Sequence, residues 1–96
     1  MAVTPEQAAR RRQLHAMGSF NMYTLLAGEY WEHPDADEVK HVLSMISLTD
    51  VALANRLDVD ERTIRKWKSG QTRMVFTSWC CLCWLAGLGM LLEEPA

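Results

Sequence analysis

The N-terminal residues follow the pattern of a capped helix. Thr4 is a suitable N-cap, and Pro5 stands at the first helical position, where a missing N–H is harmless. Good helix formers continue from Ala8 to Leu14, and Gly18 is typical of a residue that ends a helix. The pattern therefore predicts a first helix between Thr4 and Gly18.

Residues 19–31 form an apolar and aromatic run, SFNMYTLLAGEYW, that has no clean period. Helix and extended strand are both compatible with it, and we favour helix. Pro34 disfavours helical backbone at His33, so a new element begins there. Residues 35–46 have apolar side chains at three- and four-residue spacing, which predicts an amphipathic helix that needs a core. These side chains are Val39, Val42, Leu43 and Ile46.

Residues 47–74 divide into two short helices joined by a tight turn. Thr49 and Asp60 are suitable N-caps, and Gly70 ends the second helix. We expect Asp58 to take a left-handed backbone conformation and Val59 to fill the angle between the two axes. The predicted inward faces are Val51, Ala54 and Leu57 in the first helix, and Ile64 and Trp67 in the second.

This helix pair resembles the Xre or lambda-repressor-like helix-turn-helix family. The matching residues are Leu48, Thr49, Leu53, Ala54, Val59, Thr63, Ile64, Lys66, Trp67 and Gly70. Two positions depart from the family pattern, since Asp58 replaces the usual turn glycine and Lys68 replaces the usual acid after the tryptophan. Asp tolerates left-handed backbone better than most residues, so the first departure is compatible with the fold.

The resemblance implies an all-α fold, a compact helical bundle with a helix-turn-helix and an N-terminal helical extension. We expect residues 1–33 to form the extension and residues 34–92 the DNA-binding domain. The second helix of the pair would enter the major groove of double-stranded DNA, which is wide enough for one helix.

The same resemblance assigns two groups of DNA contacts. Outward side chains of the second helix would read base edges, and a surrounding set of polar groups would bind phosphates and fix the register. Arg65 could reach either bases or phosphate. The base-reading residues are Glu61, Arg62, Arg65 and Lys66, and the phosphate-binding residues are Thr49, Lys68, Ser69, Gln71, Thr72 and Arg73.

Charge is distributed unevenly along the chain, although the formal net charge is only −2. Residues 29–38 are acidic, whereas residues 62–73 hold five basic side chains and no acid. This balance argues against nonspecific coating of nucleic acid and favours aimed contacts. A second basic cluster, Arg10, Arg11 and Arg12, is either a solvated helix face or an arm that touches the DNA backbone.

Residues 74–92 contain no charged side chain. This uncharged run is long enough to make a membrane-spanning helix a formal alternative. Two polar residues and two glycines within the run oppose that reading, so we expect a closing core helix and no membrane partner. A helix with Trp79 and Trp84 well apart around it needs cover on every side. We expect residues 20–31, the same helix of a second chain, or both, to cover it, which predicts a homodimer.

Three neighbouring cysteines, Cys80, Cys81 and Cys83, include the spacing of half a zinc site. No second Cys or His pair with ligand spacing lies nearby, so we expect core residues, with a soft-metal or thiol sensor as the alternative. We predict no metal and no cofactor. No nucleophile–base arrangement or phosphate loop is legible, so we do not expect an enzyme.

Chain length and composition narrow the function further. Ninety-six residues, 49% of them hydrophobic, fit one small folded domain and exclude a large multidomain enzyme. No apolar run follows the N-terminal arginines, so we expect a cytoplasmic protein. The favoured function is a homodimeric, sequence-specific repressor that occupies an inverted-repeat operator. The alternatives are an antitoxin that binds its toxin through residues 29–38, and a protein-interaction adaptor that does not bind DNA.

Overall fold

A computed structural model describes residues 3–92, and in this range the chain is all-α, as predicted. Residues 3–92 contain five α-helices, two short 3₁₀ turns and no strand. The helices are α1 (Pro5–Met17), α2 (Ala36–Ser44), α3 (Asp50–Leu57), α4 (Glu61–Ser69) and α5 (Phe76–Leu85).

The capping residues of α1 are those that the sequence predicts. The Thr4 hydroxyl accepts a hydrogen bond from the Gln7 N–H at 3.2 Å, and the Gln7 side chain accepts one from the Thr4 N–H at 2.9 Å. This reciprocal capping box satisfies two donors that a helix start leaves without partners. At the other end, Gly18 has a φ of 75°, a left-handed conformation that glycine adopts without strain.

The helix expected in residues 19–31 is absent, and that prediction was wrong. The segment forms 3₁₀ turns at Met22–Leu25 and Gly28–Tyr30. Its own backbone hydrogen bonds are confined to short turns, such as the one from the Leu26 N–H to the Tyr23 carbonyl at 3.3 Å, and other backbone groups bond to side chains. The carbonyl of Thr24 accepts hydrogen bonds from the indole N–H of Trp31 at 3.0 Å and from that of Trp79, in α5, at 2.8 Å. A continuous α-helix would use that carbonyl in its own ladder.

A buried glutamate joins this segment to the start of α2. Glu38 is 7% exposed, and one of its oxygens accepts a hydrogen bond from the Asp35 N–H at 2.9 Å. The other oxygen accepts one from the Asn21 N–H at 2.6 Å. Asp35 in turn caps α2 by accepting from the Glu38 N–H. Two residues of the acidic stretch, Asp35 and Glu38, therefore stabilise the fold. The buried carboxylate of Glu38 needs hydrogen-bond donors of this kind.

The core lies between α2, α3, α4 and α5. Helix α4 packs against both α2 and α3, and α2 also contacts α5. Val42, Ile64, Trp79 and Leu82 have no exposed surface. Burial of these apolar side chains is the main favourable term that stabilises the bundle.

Residues 74–92 do not form one long helix. Helix α5 ends at Leu85, and the chain then turns at Gly87 and Gly89, whose φ angles are 79° and 87°. Trp79, for which we expected cover from residues 20–31, a second chain or both, is fully buried within one chain, as is Leu88. Trp84 remains 51% exposed. None of the helices between residues 3 and 92 is long and apolar enough to cross a membrane.

Two arginines of α1 cover the turn after α5. The Arg10 guanidinium donates to the Ala86 carbonyl at 3.4 Å, and Arg11 Nε donates to the Leu88 carbonyl at 2.6 Å. Burial lowers the pKa of Arg11, although the nearby Cys83 thiol acts in the opposite direction. Cations favour the carbonyl end of a helix, so these contacts tie α1 to α5. Arg10 and Arg11 therefore have a structural role that neither sequence-based alternative included.

The burial of Leu88 predicts that Leu88→Glu unfolds the protein. A charged side chain at a fully enclosed site is destabilising by several kcal/mol, which is comparable with the stability of a small domain. Leu92→Glu is the matched control, because Leu92 is 68% exposed. Circular dichroism and sedimentation on both variants provide the measurement. A folded, monomeric Leu88→Glu protein would contradict the packing described above.

Candidate nucleic-acid interface

Helix α4 has one buried face and one exposed basic face. Ile64 and Trp67 are 0% and 5% exposed and point into the core, as predicted. Arg62, Arg65 and Lys66 are exposed on the other side. The helix begins where Asp60 Oδ1 accepts a hydrogen bond from the Arg62 N–H at 2.7 Å. The inward residues therefore fix which side chains of α4 face outward.

The turn between α3 and α4 sets the angle at which α4 stands. Asp58 has φ 55° and ψ 46°, the left-handed conformation that the sequence predicts. Its neighbour Val59 donates its N–H to the Ala54 carbonyl at 3.0 Å. Ala54 is buried, as predicted, and its small side chain allows α3 and α4 to approach closely. The prediction for Val51 was wrong, since Val51 is 53% exposed and Leu53 is buried instead. Asp58 thus joins α3 to α4 in a left-handed conformation that aspartate adopts more readily than most residues other than glycine.

Glu61 and Arg65 form an ion pair on the exposed face of α4. The two residues are separated by one helical turn of α4, and Glu61 Oε1 lies 2.9 Å from Arg65 Nη1. Both side chains remain substantially exposed, so the pair adds little stability. Its effect is geometric, since it orients the Arg65 guanidinium along the helix.

The loop after α4 presents a short row of polar groups. Gly70 has a φ of 77° and ends the helix, as predicted. The Ser69 hydroxyl donates to the Lys66 carbonyl at 3.1 Å and accepts from the Gln71 N–H at 3.3 Å. Buried Met74 anchors the far end of the loop in the core. Between these points three side chains are exposed, namely Gln71, Thr72 and Arg73.

The start of α3 lies beside the end of α4. The Thr49 hydroxyl caps α3 by accepting from the Ala52 N–H at 3.1 Å. Next to it, Asp50 holds Lys68, whose Nζ lies 2.7 and 2.8 Å from the two carboxylate oxygens. The structure thus brings together the N-terminus of α3 and the C-terminus of α4, which are distant in sequence. Asp50 was not among the expected site residues, and the unusual lysine at position 68 is the sequence signal for it.

The cysteines do not form a metal site in the part of the chain that the structure describes. No group of three or more His, Cys, Asp or Glu residues within 3–92 is arranged to hold a metal ion. Cys80 and Cys83 are buried, whereas Cys81 is exposed. Burial, reinforced by neighbouring thiols, raises the pKa of Cys80 and of Cys83. Both buried thiols are therefore protonated at neutral pH, a state that is poorly reactive.

Comparison with known proteins places the chain among transcriptional regulators. No protein-family model matches it, and no solved structure matches it. A transcriptional repressor protein KorC of Escherichia coli is 36% identical over 73 residues, which cover 73% of this chain and 86% of the relative.

A second transcriptional repressor protein KorC of Escherichia coli is 31% identical over 70 residues, covering 70% of this chain and 82% of the relative. The similarity therefore extends over most of both proteins. On this basis the chain belongs to the KorC family of transcriptional repressor proteins.

Proposed function

We propose that this protein is a sequence-specific DNA-binding repressor whose α3–α4 pair acts as an Xre-like helix-turn-helix. The exposed basic face of α4 is the observation that carries the proposal, because a helix of this kind fits the major groove. Membership in a family of repressors supports the regulatory role. In this proposal residues 34–92 are the DNA-binding unit, and residues 1–33 are an extension that α1 fastens to the turn after α5.

Base recognition is assigned to the outward residues of α4. Arg62 holds a guanine through two hydrogen bonds, and Lys66 donates to a second guanine. Glu61 and Arg65 act together, because they form an ion pair before DNA arrives. Either Glu61 accepts from a cytosine amino group, or it holds Arg65 toward its base or phosphate.

Phosphate binding is assigned to the residues around α4. Thr49 lies at the N-terminus of α3, where backbone N–H groups favour an anion. Ser69, Gln71, Thr72 and Arg73 follow α4 in an exposed loop. These contacts position the protein on the duplex and do not read sequence. Lys68 differs from them, since its ammonium group already binds Asp50.

Repression follows from occupancy of promoter DNA by a homodimer. One recognition helix reads few base pairs, and two half-sites about one helical turn apart multiply specificity. Trp84 on α5 is 51% exposed and offers apolar surface for a two-fold contact, and Tyr23 and Leu26 are exposed apolar side chains elsewhere in the sequence. The operator is then an inverted repeat.

The acidic stretch supports the antitoxin alternative less than its charge suggests. Asp35 and Glu38 form the capping box of α2, and Glu32 accepts a hydrogen bond from the Asn21 side chain at 2.7 Å. These carboxylates have partners within the chain, so the stretch is only in part available to another protein. The adaptor alternative predicts loss of basic residues from α4, and they are present.

Arg62→Ala and Lys66→Ala should each reduce the preference for the selected DNA sequence without unfolding the protein. Loss of a bidentate base contact costs roughly 1 to 3 kcal/mol, about 5- to 150-fold in affinity. The site is first selected from a random DNA pool, and binding to it and to scrambled DNA is then compared by fluorescence anisotropy. Arg12→Ala, which removes the same charge from an exposed position on α1, is the control. Full discrimination by both α4 variants would refute the groove assignment.

Arg73→Ala should weaken binding to all sequences alike. A lost phosphate contact releases about one counterion fewer, so the slope of log affinity against log salt concentration falls by about one unit. A salt titration on selected and scrambled DNA tests this. If the loss is confined to the selected sequence, Arg73 reads bases.

Trp84→Glu should convert a homodimer into a folded monomer. The side chain is half exposed, so the chain tolerates the charge, whereas a two-fold contact meets it twice. Sedimentation at micromolar concentration gives the mass, and a footprint shows whether the bound site is an inverted repeat. A monomeric wild-type protein on a single half-site would contradict the dimer.

A further inference from the structure

The ion pair between Asp50 and Lys68 joins the two helices that the proposed function places on DNA. Asp50 is the first residue of α3, and Lys68 lies in the last turn of α4. Both carboxylate oxygens accept from the ammonium group, at 2.7 and 2.8 Å. The side chains are 31% and 36% exposed, so the pair is partly shielded from water.

A carboxylate at this position conflicts with phosphate binding unless it is neutralised. The N-terminus of α3 presents backbone N–H groups and the Thr49 hydroxyl, which together favour an anion. An acid in the first turn stabilises the helix, but it repels a DNA phosphate that approaches the same turn. Asp50 therefore needs a cation beside it when DNA binds.

Lys68 is that cation, and its ammonium group is already paired with Asp50. Its side chain is less exposed than that of Arg73, which stands free of α3 in the following loop. The pair of a lysine and a carboxylate has no net charge, so it attracts a phosphate less than a lysine without such a partner does. The sequence-based expectation of a direct phosphate contact considered Lys68 without its partner.

We infer that Lys68 is a positioning residue for DNA binding, and this inference rests on the proposed function. It neutralises Asp50 at the point where the N-terminus of α3 meets the C-terminus of α4. A phosphate then reaches Thr49 and the first N–H groups of α3 while α4 lies in the groove. Asp50 and Lys68 act as one unit, so removing both charges leaves the site nearly as it was.

The test is a double-mutant cycle with Lys68→Met, Asp50→Asn and the variant that carries both changes. Affinity for the selected DNA site is measured by anisotropy over a range of salt concentrations. Lys68→Met alone should weaken binding about tenfold, because Asp50 is left uncompensated beside a phosphate. The double variant should return to within about twofold of wild type with an unchanged salt slope, since the net charge of the pair is zero in both.

A direct phosphate contact predicts a different result. The double variant would then bind as weakly as Lys68→Met, with a salt slope lower by about one unit, and the inference would be overturned. Thermal melts monitor folding of each variant. If the double variant does not fold, the charge-swapped chain with Asp50→Lys and Lys68→Asp decides. Affinity and a salt slope restored to the wild-type values support positioning, and affinity well below wild type with a lower salt slope overturns it.

The experiment distinguishes failure of the proposed DNA-binding function from failure of the role given to the Asp50–Lys68 ion pair. A wild-type protein that selects no DNA sequence overturns the proposed function, and the inference with it. A wild-type protein that selects a site, combined with no rescue in the double variant, overturns only the role of the ion pair.

Discussion

The carbonyl of Thr24 is the point on which the arrangement of the chain depends. It accepts the indole N–H of Trp79 from α5 and that of Trp31 from its own segment. A buried indole needs such a partner, and a buried carbonyl needs its donors. The two bonds fix residues 20–31 over α5, which covers a helix that three short helices could not enclose.

Residues 20–31 of the same chain cover α5. The exposed face of α4 is therefore not needed to cover it. Helices α2 and α3 pack against the inward face of α4, and α5 closes the core. Arg62 and Lys66 therefore stand on a surface that no described element needs for folding. This separation of a buried and an exposed face allows a domain of this size to carry an exposed basic surface.

Charged residues divide into those that hold the fold and those that face outward. Glu38, Arg10 and Arg11 bond to backbone groups, and Lys68 bonds to Asp50. Net charge does not distinguish these roles, because a carboxylate that caps a helix counts the same as one in solvent. Burial and the hydrogen-bond partner decide which charges remain available to a binding partner.

Local signals in the sequence determined α1, the turn at Asp58 and the two faces of α4. Caps, glycines and helical spacing act over three or four residues, so they are legible without the fold. The tertiary structure alone decided the rest. Residues 19–31 do not form an α-helix, and backbone groups of this segment bond to the side chains of Trp79 and Glu38. Lys68 forms an ion pair with Asp50. Such long-range contacts depend on how separate helices pack, and this information is not contained in the spacing of neighbouring residues.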